Sequence, residues 1–158
     1  KIKVLEYNCR MGDPETQNLM LTLENKGLDF LDMILNDPII DIQDLNIANF
    51  DQDKKGYCCT IVLAAKGYPD SYEKGFYLDT KDIIENENIK IFHAGTILDD
   101  NKIRTMGGRI LTVNVYAENK EIAINIAYEN IKKISVFQDK DMSIKNNNLV
   151  FFREDIGS

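Results

Sequence analysis

The chain has 158 residues, which is about one domain. Its 44% hydrophobic and 28% charged residues are ordinary for a soluble globular protein and argue against a disordered chain. The formal net charge of −7 disfavours a nucleic-acid binder, because such proteins carry a basic surplus. No apolar run approaches the roughly 20 residues of a membrane helix. Neither a nucleic acid nor a membrane is therefore an expected partner.

The 3 cysteines indicate a reducing, cytoplasmic compartment. Their number is odd and no CxxC spacing exists, so neither a disulfide framework nor a zinc site is expected. Cys58 and Cys59 lie in an apolar run and are predicted to be small core residues. His93 is the only histidine, which excludes a two-histidine metal or catalytic scheme within this chain. The chain begins at Lys1 directly with a strand-like run, which predicts a fragment of a longer polypeptide.

The first part of the chain is predicted to form a strand and then a helix. Residues 1–9 alternate with the period of two that is typical of a strand. Asp13 before Pro14 predicts a helix start, with Asp13 as the N-cap and Pro14 as the first helical residue. Gly27 predicts the helix end. The apolar stripe of this helix is expected to consist of Leu19, Met20 and Leu23.

The rest of the chain is predicted to be mainly β, which makes the fold class α+β. A second helix over about residues 28–35 and an acidic connection over residues 39–56 come first. A helix capped by Asn119 is predicted to run to about residue 134. Its inward residues are expected to be Ile122, Ala123, Ile126, Ala127 and Ile131. Strands are predicted over residues 57–65, 89–98, 102–105, 109–117 and 149–152.

One face of the first predicted strand carries Glu6 and Asn8, and Arg10 joins it if the strand continues. Carboxylate and amide oxygens suit a hard cation such as Mg²⁺. An arginine beyond them could take a phosphate oxygen, so the three side chains could hold a triphosphate. Spacing alone nevertheless favours a solvated edge strand, since polar alternation is common on half-exposed strands.

Two further segments could receive an anion. The first is the Gly12–Thr16 segment, at a predicted helix N-terminus, although its acidic residues make a plain capped helix start the favoured interpretation. The second is Gly107, Gly108 and Arg109, where glycines permit close backbone approach and the arginine could clamp a phosphate, but a β-bulge or hairpin corner is equally typical of glycines. Lys66 is interpreted as a solvated turn residue in preference to a ligand-binding one, and His93 is interpreted as a packed histidine in preference to a catalytic one.

The order of several motifs resembles the phosphoribosylamine–glycine ligase (glycinamide ribonucleotide synthetase) family of ATP-grasp enzymes. Residues 4–17 (VLEYNCRMGDPETQ) look like that family's signature. Later segments follow in the family's order, which makes the resemblance specific and nearly as long as the chain. They are residues 62–69 (VLAAKGYP), 92–96 (FHAGT), 105–111 (TMGGRIL) and 152–157 (FREDIG).

The resemblance implies the end of an ATP-grasp domain over residues 1–50 and a small β-rich C-terminal domain with a packed helix over residues 51–158. It implies an ATP-dependent ligase of purine biosynthesis that joins glycine to 5-phosphoribosylamine through a glycyl phosphate. Glu6 and Asn8 match the family's ligands for Mg²⁺ or Mn²⁺, and Arg10 matches an arginine near the transferred phosphate. The matched substrate-side residues are Asp13, Pro14, Glu15, Thr16, Lys66, Gly107, Gly108 and Arg109.

The family's N-terminal domain and the segments that hold the adenine have no counterpart here, so the missing N-terminal portion is an expected partner and the chain alone is expected to be inactive. Two alternatives stay open. One is another ATP-grasp ligase, such as a biotin-dependent carboxylase, which shares the Glu-x-Asn pair but not the following residues 12–16. The other is a non-catalytic β-rich interaction module.

Overall fold

The computed structural model describes Lys3, Tyr7, residues 9–27 and residues 55–157. Most of the predicted first strand, the predicted second helix and almost all of the acidic connection lie outside the described residues. Within them the chain forms two helices, α1 (Glu15–Asn25) and α2 (Lys120–Ile131), and a short 3-10 helix (Asn147–Leu149). The strands are β1 (Tyr57–Ala65), β2 (Tyr77–Asp79), β3 (Ile89–His93), β4 (Thr96–Asp99), β5 (Lys102–Thr105), β6 (Arg109–Ala117), β7 (Ser135–Phe137) and β8 (Val150–Phe151).

The strands form two 4-stranded sheets, and every pairing between the described strands is antiparallel. Sheet A has the order β3-β6-β1-β8, and sheet B has the order β4-β5-β2-β7. The longest pairing joins β1 to β6, from Tyr57 opposite Ala117 to Ala64 opposite Arg109. The α+β class and the bounds of β1 and β6 agree with the sequence prediction.

Both sheets contribute to one hydrophobic cluster, and α2 covers it. Alternate residues of β1 and β6, such as Ile61 and Val113, point into the cluster and are fully buried. Their small and branched side chains fill the space between sheet and helix without polar atoms, so burial drives the packing. The α2 residues that pack against them are Ala123, Ala127 and Ile131.

The predicted cap of α2 is confirmed, but its end and its inward face need correction. The Asn119 side chain accepts a hydrogen bond from the Ile122 amide at 2.9 Å. The helix ends at Ile131 instead of residue 134. Ile122 is 36% exposed because it lies in the first turn, beyond the edge of the buried stripe, and the prediction that it faces inward was wrong.

The start of α1 also differs from the prediction. Pro14, not Asp13, is the N-cap, and no side chain caps the helix from that position. Asp13 lies one residue before the N-cap position, and its carboxylate is bonded to side chains instead of to a helix amide. The fully buried residue of α1 is Leu21; within the predicted stripe Leu19 is 38% exposed, so its inclusion was wrong, and the other two residues are half-buried. Gly27 follows the helix with φ +74°, as a C-terminal glycine should.

The predicted strand over residues 89–98 is divided into β3 and β4, which belong to different sheets. The division falls at Ala94 and Gly95, whose amides bond to the carbonyls of Ile110 and Arg109. A β-carbon on Gly95 would lie 2.6 Å from the Gly107 α-carbon, so only a glycine permits this crossing. No helix of the described part is long and apolar enough to span a bilayer.

Candidate functional site

Four of the predicted site residues meet where β1 ends and β6 begins. Because the two strands are antiparallel, Lys66 follows the last residue of β1 at the end where Gly107 and Gly108 precede Arg109. The Ala65 amide donates to the Gly108 carbonyl at 2.7 Å, which closes this end of the pair. The fold therefore brings together two motifs that are about forty residues apart in the sequence.

Arg109 also reaches the N-terminal part of the chain. Its Nη2 lies 3.1 Å from Oδ2 of Asp13, and its Nη1 donates to the Asp13 carbonyl at 3.2 Å. The other carboxylate oxygen of Asp13 accepts a hydrogen bond from Nε2 of Gln17 at 2.9 Å. Asp13 is thus held by two donors from different elements. The pair is 42% and 39% exposed, so its net contribution to stability is at most about 1 kcal/mol, and its main effect is to set orientation.

The turn that carries Asp13 is closed by Glu15 and Thr16. Oε2 of Glu15 accepts from the Gly12 amide at 3.0 Å, and the Thr16 hydroxyl donates to the Gly12 carbonyl at 2.6 Å. The Thr16 amide bonds to the same carbonyl at 2.9 Å. These bonds satisfy backbone groups at the helix start, much as a capping box does. The side chains of Glu15 and Thr16 therefore shape the turn, and their predicted substrate contacts stay predictions.

The paired glycines allow close packing within the protein. A β-carbon on Gly108 would lie 2.1 Å from Cδ2 of Tyr68, so the tyrosine ring lies directly on the glycine. Gly107 faces Gly95 in the same way, and its amide donates to the Gly95 carbonyl at 3.1 Å. This arrangement is a corner between the two sheets and not a hairpin, because β5 belongs to sheet B and β6 to sheet A. It leaves the predicted ligand contacts of Gly107 and Gly108 as predictions.

Lys66 lies on the opposite side of β1 from Arg109. Its amide donates to the Leu149 carbonyl beside β8 at 2.9 Å, and its side chain is exposed. It lines a surface depression of about 460 Å³ with Ser71, Tyr72, Glu73, Asn148 and Leu149. The structure thus brings Lys66 to the same end of sheet A as Arg109 but places the two residues on different sides of β1.

The predicted metal and phosphate residues are described only in part. Glu6 and Asn8 lie outside the described residues. Arg10 is exposed, and its Nη1 donates to the carbonyl of the neighbouring Met11 at 3.0 Å. Among the residues that the structure does describe, no group of three or more His, Cys, Asp or Glu side chains could hold a metal ion. The predicted metal site therefore depends on the sequence pattern.

His93 is exposed at the end of β3, so the prediction of a packed histidine was wrong. Its Nδ1 lies 3.0 Å from the Thr96 hydroxyl, across the turn at Ala94 and Gly95. His93 is the last paired residue of β3, which is an edge strand of sheet A. All 3 cysteines are free thiols. Cys59 is buried as predicted, whereas Cys58 is only partly buried.

Sequence reasoning missed Gln17 and Tyr68. Gln17 is four residues after Asp13, a spacing that places two side chains on one helix face and could have indicated their contact. Tyr68 belongs to the quoted 62–69 segment, but nothing in the sequence shows that its ring lies on Gly108. Such contacts arise between distant segments, so local patterns do not encode them.

Residues 58–158 match the family model described as phosphoribosylglycinamide synthetase, C domain. The chain belongs to this family. A phosphoribosylamine–glycine ligase of Fusobacterium nucleatum is 38% identical over all of the chain, which covers 33% of that protein. A bifunctional purine biosynthetic protein of Schizosaccharomyces pombe is 36% identical over 89% of the chain, which covers 17% of that protein.

A solved structure gives the same result for the fold of this synthetase C domain. The crystal structure of phosphoribosylamine–glycine ligase from Thermotoga maritima has a TM-score of 0.59 and 34% identity, over 84% of the chain and 30% of the solved one. The family resemblance and the α+β class inferred from the sequence are therefore confirmed. The chain spans about a third of the length of the ligases that it matches.

Proposed function

We propose that this chain is part of an ATP-dependent ligase that joins glycine to 5-phosphoribosylamine in purine biosynthesis. The observation that carries the proposal is the pair of Asp13 and Arg109, which joins two separate segments of the family resemblance at one end of sheet A. The relatives from F. nucleatum and T. maritima are phosphoribosylamine–glycine ligases, which supports the same reaction. The cytoplasm is the proposed compartment.

The proposed reaction has two steps. The glycine carboxylate attacks the γ-phosphorus of ATP, and ADP leaves, which gives glycyl phosphate. The amine of 5-phosphoribosylamine then attacks the acyl carbon and displaces inorganic phosphate. Phosphoryl transfer of this kind needs positioning and charge neutralisation, and it requires no protein nucleophile.

In this proposal Asp13 to Thr16 lie beside the pocket for glycine and 5-phosphoribosylamine. Gly107, Gly108 and Arg109 line the C-terminal side of the same cleft, whereas Lys66 faces the depression beside β8 and would meet a substrate only from that side. The turn bonds within residues 12–16 and the Arg109 contact give this loop a fixed shape, which supports a positioning role. An ordered loop loses less conformational entropy when substrates bind.

The phosphate side of the proposed site depends on residues 6–10. The donor set of Glu6 and Asn8, two residues apart, fits Mg²⁺ or Mn²⁺, since both ions prefer oxygen ligands. When bound, such an ion would neutralise charge on the ATP phosphates. Arg10 is proposed to contact the transferred phosphate, because its exposed guanidinium is bonded only within its own turn in the described residues.

The domain organisation is part of the proposal. Residues 1–50 are proposed to complete an ATP-grasp domain, and residues 51–158 to form the small domain beside it. The ligases from F. nucleatum and T. maritima are about three times as long as this chain, and we propose that most of the nucleotide-binding surface lies in the part that the chain does not cover. We therefore expect turnover only when the N-terminal portion of the enzyme is also present.

The test compares the full-length ligase with the 158-residue chain. The full-length protein should hydrolyse ATP only when glycine and 5-phosphoribosylamine are both present, and the short chain should not. In the full-length protein, Glu6→Gln should lower kcat at least a hundredfold, because it removes a carboxylate ligand. Glu121→Gln, on an exposed turn of α2, is the matched control and should retain wild-type turnover.

Other outcomes would contradict the proposal. Turnover with bicarbonate in place of glycine would favour a carboxylase of the ATP-grasp type. Unchanged turnover in Glu6→Gln would contradict the proposal that Glu6 is a metal ligand. If the full-length protein had no ATP-dependent activity with any of these substrates, a non-catalytic interaction module would be the better interpretation.

A further inference from the structure

The two helices are attached to sheet A in different ways. α2 packs through Ala123, Ala127 and Ile131, all at most 2% exposed and in the hydrophobic cluster. α1 lies on the other face of the sheet and fully buries only Leu21. Hydrogen bonds join its Asn18 to β1, and an ion pair joins its Glu24 to Lys90 of β3. Apolar packing is non-directional, whereas hydrogen bonds fix geometry, so the position of α1 depends on its polar contacts.

The central polar contact of α1 is Asn18. Its Nδ2 donates to the Cys58 carbonyl at 3.0 Å and lies 3.3 Å from the Thr60 hydroxyl. The Thr60 hydroxyl donates onward to Oδ1 of Asn114 at 2.7 Å. Asn114 is fully buried in β6, and its Nδ2 donates to the Thr112 hydroxyl at 2.8 Å. We call the chain of bonds from Asn18 through Thr60 to Asn114 the Asn18 relay.

The Asn18 relay ends on a strand in the interior of sheet A, so its far end cannot shift without breaking the sheet. Asn114 also donates to the backbone carbonyls of Lys90 and Thr112 at 3.3 and 3.2 Å. Every polar atom of this asparagine is therefore engaged. A buried polar network that is satisfied throughout specifies one arrangement, because any displacement leaves a buried group without its partner.

Both ends of α1 are tied to the same sheet. At the N-terminal end, Asp13 pairs with Arg109, which begins the strand that carries Asn114. At the C-terminal end, Asn25 donates to the Glu87 carbonyl at 2.9 Å, and Glu24 lies 3.2 Å from the Lys90 ammonium. These exposed end contacts are weak individually. The relay in the middle is part-buried at Asn18 and Thr60 and fully buried at Asn114.

We propose that Asn18 is a positioning residue for the candidate site. Its relay to Asn114 fixes the register of α1 along β6, so that Asp13, which precedes the helix, meets Arg109 at the start of the same strand. Without this register the 12–16 turn would still form, since its bonds are local, but it would not be held opposite Arg109. The inference rests on the proposed function, because it assigns Asn18 to the placement of the substrate loop.

The test is a double-mutant cycle in the full-length ligase. Asn18→Leu and Arg109→Ala should each raise the KM for glycine or 5-phosphoribosylamine about tenfold, with kcat changed less than twofold, because both loosen the substrate loop. The double variant should be no worse than Arg109→Ala alone, since both residues act through the position of Asp13. A purely structural role would lower the folded fraction and therefore kcat, without raising KM.

Two further variants complete the design. Thr60→Val removes the relay hydroxyl at constant shape and should reproduce the KM effect if Asn18→Leu fails to fold. Asn130→Leu is the matched control: Asn130 is a buried asparagine of α2 whose bonds are within its own helix and to Lys133. Its variant should leave KM unchanged.

Unchanged KM in both Asn18→Leu and Thr60→Val, or full additivity with Arg109→Ala, would overturn the inference while the ligase activity stands. A wild-type enzyme without turnover of glycine and 5-phosphoribosylamine would overturn the proposed function, and the inference with it.

Discussion

Nη2 of Arg109 lies 3.1 Å from Oδ2 of Asp13, although the two residues are 96 positions apart in the sequence. Asp13 precedes α1, and Arg109 is the first residue of β6, so the contact connects the start of the helix to one end of sheet A. A second bond, from Nη1 to the Asp13 carbonyl, orients the guanidinium toward the backbone of the turn. The pair therefore constrains both the position of the turn that carries Asp13 and the angle at which the guanidinium meets it.

Arg109→Lys should retain only part of this constraint. A lysine carries one charged group and cannot bond the carboxylate and the carbonyl with the fixed fork of a guanidinium. We expect the KM for glycine or 5-phosphoribosylamine to lie between those of the wild-type enzyme and Arg109→Ala. The free energy of unfolding should change by less than about 1 kcal/mol in both variants, because the pair is partly exposed. Steady-state kinetics and urea unfolding measure the two effects, and a large loss of stability with unchanged KM would contradict this account.

Gly108→Ala should destabilise the protein by steric conflict with Tyr68. The new β-carbon would lie 2.1 Å from Cδ2 of the ring, so the ring or the strand must shift. Such overpacking costs roughly 1–3 kcal/mol of unfolding free energy. If the tyrosine ring causes the conflict, the double variant Gly108→Ala/Tyr68→Ala should lose less unfolding free energy than the two single variants lose together. Urea unfolding measures all four members of the cycle, and simple additivity would mean that the glycine is needed for another reason.

Asp99 should make stability dependent on acid pH. The Lys140 ammonium, at 2.9 Å, and the Tyr77 hydroxyl, at 2.7 Å, hold the pKa of this carboxyl below its usual value of 3.8. A lowered pKa in the folded state adds stability that is present above pH 3.8 and is lost as the pH falls through the folded value. Asp99→Asn should therefore be less stable than wild type at pH 6, and the difference should shrink below pH 3.8.

Urea unfolding between pH 6 and pH 2.5 measures this difference. Asp70→Asn, in an exposed loop, is the charge-matched control. A constant difference between wild type and Asp99→Asn over this range would contradict the interpretation.

The thiol of Cys58 should react slowly in the native protein. Burial raises its pKa to about 11, and hydrogen bonds with Thr22 and Thr60 offset only part of that effect. At pH 8 roughly 0.1% of the thiol is then ionised, and the thiolate is the reactive form. Cys9 is exposed and should be labelled first. Peptide mass spectrometry after timed iodoacetamide treatment measures both sites, with a urea-unfolded sample as the control; equal native rates at the two sites would count against the burial of Cys58.

The sequence predicted those elements whose signals are local. β1 and β6 were placed correctly because each is a run of apolar and β-branched residues bounded by turn residues. Asn119 identified the start of α2, since a side chain that caps a helix acts within three residues. The turn after β4 has local causes too: Asp100 and Asn101 have φ of 48° and 61°, which aspartate and asparagine tolerate.

Predictions from the sequence were wrong where a contact with a distant residue outweighed a local preference. Asp13 was expected to cap α1, but its carboxylate bonds to Gln17 and Arg109, and Pro14 becomes the cap. Leu21 is buried instead of Leu19, on the helix face from which Asn18 donates to the Cys58 carbonyl of β1.

By itself the sequence determined the family, the α+β class and the residue types available at the candidate site, since ordered motifs and periodic apolar runs are properties of the chain. Only the tertiary structure decided that Asp13 meets Arg109, that Lys66 lies on the other side of β1, and that Asn18 reaches Asn114 through Thr60. Those relationships depend on strand order and register, which are set by packing across the whole molecule and leave no mark at any single position.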